Sequence, residues 1–301
     1  MTNIRGLVLR SQSGFYDVET DEGVLSARLR GRLKQGRREG DIVALGDWVR
    51  LSIEPDGNAM IEEVEARERA LVRIAPRPSG DYEQVIVANP DQALFVFACA
   101  EPAPRLRMLD RLLVVAEQQG IPAAIVANKT DLVGTRGAKR IFGHYAEIGY
   151  PLHYTSATKK RGIRKLRKAM MSKLNVLAGP SGGGKSSLLN AVQPGLGLRV
   201  SEVSQATGKG RHTTVERQLF PLKFGGYVAD TPGLKAFALQ DIEPEELDGY
   251  FREIAPLVAE CQFRSCSHRE EPGCAVREAV ETGKVHPERY ESYLRMRYGE
   301  E

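Results

Sequence analysis

Gly179-Pro180-Ser181-Gly182-Gly183-Gly184-Lys185-Ser186-Ser187 carries the spacing G-x4-G-K-S in full. Glycines there let successive backbone N–H groups turn inward around phosphate oxygens, and a helix opening behind them adds positive potential. In such a loop Lys185 reaches the β- and γ-phosphates and the Ser186 hydroxyl ligates magnesium. The apolar run Leu174–Ala178 precedes the loop and a helical pattern, Ser187-Leu188-Leu189-Asn190-Ala191, follows it. Strand before and helix after is the context that separates a phosphate loop from a flexible glycine turn. Downstream, Asp230-Thr231-Pro232-Gly233 ends the strand pattern Gly226-Tyr227-Val228-Ala229. A carboxylate at Asp230 can hold magnesium through water, and the Gly233 N–H can sense a γ-phosphate.

A second constellation reads a base. Asn128-Lys129-Thr130-Asp131 ends the apolar run Ala123–Ala127, and Thr155-Ser156-Ala157 follows Pro151–Tyr154. Asp131 can accept from guanine N1–H and the exocyclic amine. Adenine lacks those donors, so the carboxylate would select guanine by an unpaired-group penalty. Lys129 can lie along the base or the phosphate loop, Asn128 can tie the loops together, and the Ala157 N–H can donate to guanine O6. A third cluster, Cys261, Cys266, His268 and Cys274, has the spacing C-x4-C-x-H-x5-C. Three thiolates and one imidazole make a closed tetrahedral zinc set, which implies a structural role. Cys99 lies alone on an apolar run and reads as a small buried hydrophobe.

The elements that would position these groups fall into three parts. Residues 1–72 read as short strands with turns, at 6–9, 14–18, 23–29, 48–53 and 59–61, and fit a small β-barrel of the OB type. Residues 73–240 alternate apolar strands at 93–98, 123–127 and 174–178 with helical patterns, one over 106–119 stopping at Gly120. That alternation predicts βαβ units and a parallel sheet. Residues 241–301 are polar, predicted mainly helical, and hold the cysteine cluster.

NKxD and SA preceding GxxxxGKS and DTPG reverse the usual order of Ras-like GTPases, so the chain resembles a circularly permuted GTPase. It is most similar to the ribosome-small-subunit-dependent GTPase family (RsgA, also called YjeQ or YloQ). The resemblance covers essentially the whole chain. It implies an OB barrel, a permuted GTPase domain and a zinc module, and GTP/GDP with magnesium plus one structural zinc as cofactors. It also implies the small (30S) ribosomal subunit and its rRNA as partners, with the subunit stimulating hydrolysis during late maturation or checking. Gly208–Thr214 then corresponds to the first switch loop, where Thr213 or Thr214 would complete magnesium coordination. Leu234 stands where a water-orienting Gln often sits, which leaves His212 as the nearest polar candidate.

Two basic stretches remain. Arg28, Arg30, Arg32, Lys34, Arg37 and Arg38 crowd a predicted barrel loop, and Lys159–Lys168 follows the guanine loop with seven cations. Each is either a solvated face or a nucleic-acid surface; the resemblance favours rRNA. The total charge, 43 basic against 39 acidic residues or +4, is too mild to decide this. No run approaches the ~20 apolar residues of a membrane span, and no signal-peptide pattern opens the chain, so a cytoplasmic monomer is expected. The alternatives are an ATP- or GTP-dependent phosphotransferase and a non-catalytic, nucleotide-gated RNA-binding module. NKTD argues against ATP, and the complete phosphate loop against a dead site. Gly182 stands where potassium-dependent relatives often carry Asn, which disfavours that dependence.

Overall fold

The computed structural model describes residues 4–34, 41–75, 82–197, 217–229 and 242–299. Strands β1 (Ile4–Gln12), β2 (Phe15–Thr20), β3 (Gly23–Leu29), β4 (Trp48–Ile53) and β5 (Ala59–Val64) close into a five-stranded barrel in the order β1-β2-β3-β5-β4, with β4 returning to β1. Alternate residues point inward, so Val8, Val18, Ala27, Leu29, Val49, Leu51 and Ile61 fill the barrel. A register shift between Val8 and Arg10 frees the end of β1 from β4, and Arg10 and Ser11 pair instead with Gln218 and Arg217. The barrel is thereby hydrogen-bonded into the central sheet.

The hairpin β6 (Ala70–Ala75) and β7 (Tyr82–Ala88) stands between the two. Its first strand runs across residue 72, the boundary read from the sequence. Asp41 accepts from the Tyr82 hydroxyl and the Val85 N–H, at 2.7 and 3.0 Å, which pins the segment before β4 to this hairpin.

The central sheet has the order β10-β9-β8-β11-β13-β12, with β8 (Gln92–Ala98), β9 (Ala123–Asn128), β10 (Leu152–Tyr154), β11 (Leu174–Ala178) and β13 (Tyr227–Ala229) parallel and β12 (Arg217–Pro221) antiparallel. Every residue of β8, β9 and β11 is buried, as expected for strands covered on both faces. Phe95 and Phe97 meet α1 (Leu106–Gln118) and α2 (Gly134–Glu147) on one face. Leu94 and Val96 meet α3 (Ile163–Met170) and α4 (Lys185–Val192) on the other. The predicted helix over 106–119 is α1, and Gly120 ends it with φ +62°.

The C-terminal part consists of 3-10 segments at Pro244–Tyr250 and Ala255–Glu260, then α5 (Ala275–Glu281) and α6 (Pro287–Tyr298). Its core, including Leu247, Phe251, Ile254, Val276 and Tyr293, takes in Val114 of α1. Arg289 of α6 crosses the same seam, 2.8 Å from Asp110 of α1 and 2.6 Å from Glu253, and is 1% exposed. The Tyr145 hydroxyl of α2 also donates to Asp110, at 2.7 Å.

Candidate nucleotide site and candidate metal centre

The loops singled out in the sequence gather at the carboxyl ends of β8, β9, β10 and β11, where open parallel sheets bind ligands. Gly179, Pro180, Ser181, Gly182, Gly183 and Gly184 leave β11 and open α4 at Lys185. Two of these positions need glycine. A Cβ on Gly179, at φ +148°, would stand 2.1 Å from the Val96 carbonyl oxygen. A Cβ on Gly184, at φ +87°, would stand 2.5 Å from Asn128 Nδ2. Lys185 Nζ folds back onto the loop, donating to the Gly179 and Pro180 carbonyls at 2.7 and 2.9 Å. Burial pushes its pKa down, so an incoming anion restores charge stabilisation that the site lacks. Ser186 and Ser187 lie exposed in the first turn of α4.

Asn128 binds the constellation together. Its Nδ2 donates to the Gly183 carbonyl at 3.1 Å, and its Oδ1 accepts from the Thr155 hydroxyl at 3.1 Å. Thr130 reaches the same loop, its N–H and hydroxyl donating to the Thr155 carbonyl at 3.1 and 3.0 Å. One asparagine and one threonine therefore fix the spacing of three loops.

Asp131 sits at the open end of this frame. The Ser156 and Thr158 hydroxyls hold its carboxyl below the usual range. Thr158 donates to Oδ2 at 3.4 Å, while Oδ1 is buried with no hydrogen-bond partner. A buried carboxylate oxygen without a donor costs free energy unless a ligand supplies one. Ser156 Oγ accepts from the Lys159 N–H at 3.1 Å, which shapes the turn that presents Ala157. Lys129, at φ +59°, turns its ammonium to the Glu101 carbonyl. The loop after β8 is thus a fourth wall, which sequence reasoning missed because no motif marks it. Burial and the Asp131 charge push the Cys99 thiol up to about 11, in keeping with an inert core residue.

Asp230, Gly233, His212, Thr213 and Thr214 lie outside the described residues, as do Arg37 and Arg38. Lys34 belongs to a 3-10 turn at Gly31–Lys34, and its side chain is likewise not described.

Cys261, Cys266, His268 and Cys274 converge, their ligand atoms all within 4.8 Å of one another. His268 Nδ1 faces the thiols, 3.5 Å from Sγ of Cys261 and of Cys274, while Nε2 lies 3.2 Å from Asp248 Oδ2. A carboxylate on the far nitrogen orients a ligating imidazole and raises its basicity. Three thiols and one oriented imidazole fit a tetrahedral zinc ion. Asp248 lies thirteen residues before the first cysteine in a 3-10 segment, with no spacing that could announce it.

The barrel arginines are placed differently from one another. Arg30 lies 2.8 Å from Glu54 and also pairs with Glu62, and Arg32 lies 2.9 Å from Glu62. Arg28 is exposed and stacks over the Phe15 ring at 4.4 Å. No described helix is long and apolar enough to cross a membrane.

The family model described as RsgA GTPase matches residues 64–240, and that of the RsgA N-terminal domain matches residues 5–61. A protein of Gemmatimonas aurantiaca called "Small ribosomal subunit biogenesis GTPase RsgA" is 45% identical over 98% of this chain and 97% of its own. A protein of Moorella thermoacetica with the same name is 44% identical over 97% and 95%. Among solved structures, YjeQ from Thermotoga maritima superposes with a TM-score of 0.80 at 35% identity, covering 99% of this chain and 98% of that one. YloQ, described as a circularly permuted GTPase, superposes with a TM-score of 0.75 at 29% identity, covering 99% and 95%.

Proposed function

This chain belongs to the RsgA family of GTPases, and from that premise we propose that it hydrolyses GTP on the small ribosomal subunit during the subunit's biogenesis, as a cytoplasmic monomer. Asp131 Oδ1 carries the reading of the base: a buried acceptor without a donor, beside a phosphate loop, answers the N1–H and amine of guanine. Lys129 flanks the base, and Ala157 donates its N–H to O6. Lys185 leaves the Gly179 and Pro180 carbonyls for the β- and γ-phosphates, while loop N–H groups from Gly182 to Ser187 take the remaining oxygens. Ser186 would hold magnesium with Asp230 and with Thr213 or Thr214; when bound, the ion neutralises charge on the phosphates. Gly233 would sense the γ-phosphate. His212 would orient the attacking water.

Cys261, Cys266, His268 and Cys274 hold one structural zinc. The barrel and the zinc module dock on rRNA, with Arg28, Lys34, Arg37 and Arg38 offering charge and the paired Arg30 and Arg32 offering less. Direct titration tests the base assignment. GTP and GDP should bind, and ATP should bind weaker by orders of magnitude, because it leaves Asp131 without a donor. Equal affinity for ATP would overturn the reading.

A further inference from the structure

We infer that α3 and the turn before it form a docking surface for the phosphate backbone of RNA, on the GTPase domain and separate from the barrel. From Lys159 to Lys173 the chain carries eight cations and no carboxylate. α3 buries Ile163, Leu166 and Met170 at helical spacing against β8, β9 and α4, and turns Arg164, Lys165, Arg167 and Lys168 to solvent. Lys159, Lys160 and Arg161 are exposed on the preceding turn.

This charge works against the helix that carries it. Arg164 and Lys165 occupy the first turn, the positive end of the helix dipole, with no acidic residue there to offset them. Arg164 and Lys168 are spaced i,i+4, and Lys165 and Lys168 i,i+3, both like-charge pairs that destabilise a helix. Among the described residues, no carboxylate pairs with Lys160, Arg161, Arg164, Lys165 or Lys168. The barrel is built otherwise, because Glu54 and Glu62 already answer Arg30 and Arg32. Only Arg167 has a local task, donating to the Val192 carbonyl at 2.6 Å. A row of unanswered cations that costs its own helix stability is explained by a polyanion from outside. RNA fits better than an acidic protein, since the patch has the spacing of point charges and no exposed aromatic or apolar anchor on α3 for a protein partner.

The inference shares an RNA partner with the proposed function, and its test separates the two. The full chain and the triple variant Arg164→Gln/Lys165→Gln/Lys168→Gln are titrated, across a salt series, with purified small ribosomal subunits and with a protein-free RNA hairpin. Each lost phosphate contact lowers the salt slope by about one, so the variant's log–log slope on either probe should be shallower by about three. Its melting temperature should equal or exceed that of the wild type, since like charges have been removed. A wild type that binds the hairpin but not the subunit, with the slope carried by α3, would overturn the proposed function and uphold this inference. An unchanged slope on both probes would overturn the inference, as would binding of neither probe by the wild type. Competition by polyglutamate as strong as by the hairpin would overturn it in favour of a protein partner.

Discussion

Asp131 has one oxygen answered by Thr158 and one answered by nothing, and that asymmetry is the sharpest local statement about what this chain binds. Asp131→Asn supplies a donor where guanine also donates. It should weaken GTP by about 1–3 kcal/mol, roughly ten- to a hundredfold, and favour xanthine nucleotides, which present a carbonyl in place of the amine. Unchanged GTP affinity in a direct titration would take Asp131 out of the base site. The residue types here were legible in the sequence because hydrogen-bond chemistry restricts them tightly. Less legible were the groups that act through the backbone or through distant pairing, such as the Glu101 carbonyl beside Lys129 and Asp248 beside His268. His212 stands at the same scale. With Leu234 unable to position water, His212→Ala should leave GTP binding near normal. It should lower the subunit-stimulated rate by roughly thirty- to a thousandfold, about 2–4 kcal/mol, in single-turnover hydrolysis.

At the scale of elements, two contacts hold the C-terminal module in different ways. Inside it, the cysteine cluster replaces a core too small to stand alone. Folded protein should contain about one zinc per chain, and Asp248→Ala should weaken zinc ten- to a hundredfold by releasing the imidazole from its orientation. Elemental analysis showing no metal would remove the cluster from this account. At its boundary, Arg289 reaches Asp110 of α1 from within the module. Asp110→Ala leaves a buried guanidinium short of a partner and should destabilise the module by about 3–5 kcal/mol in denaturant unfolding; a loss under 1 kcal/mol would mean that apolar packing around Val114 holds the seam. The helix periodicity of α1 and the turn-bounded strands of the barrel could be read from the chain, since each buries a regular face. The hairpin of β6 and β7 could not be placed so well. It is short, it straddles the change of pattern, and its partner in the fold, the segment around Asp41, is distant in sequence.

The whole molecule explains the order of its motifs. Permutation moves the guanine loops ahead of the phosphate loop, yet Asn128 still bridges them across 55 residues of chain. The same cut places the barrel and the zinc module at the two ends of the nucleotide domain, where β1 joins the sheet through β12 and α6 locks onto α1. Both flanking parts are therefore wired to the elements that frame the nucleotide, and a partner engaging them acts on the site. The sequence disclosed the motif order but not this wiring, because pairing between β1 and β12 links residues some two hundred positions apart. The most direct test is nucleotide turnover by the full chain with and without purified small ribosomal subunits. The account predicts slow GTP hydrolysis alone, strong stimulation by the subunit, and no stimulated turnover of ATP. GTP hydrolysis indifferent to the subunit, or ATP hydrolysed as well as GTP, would contradict it.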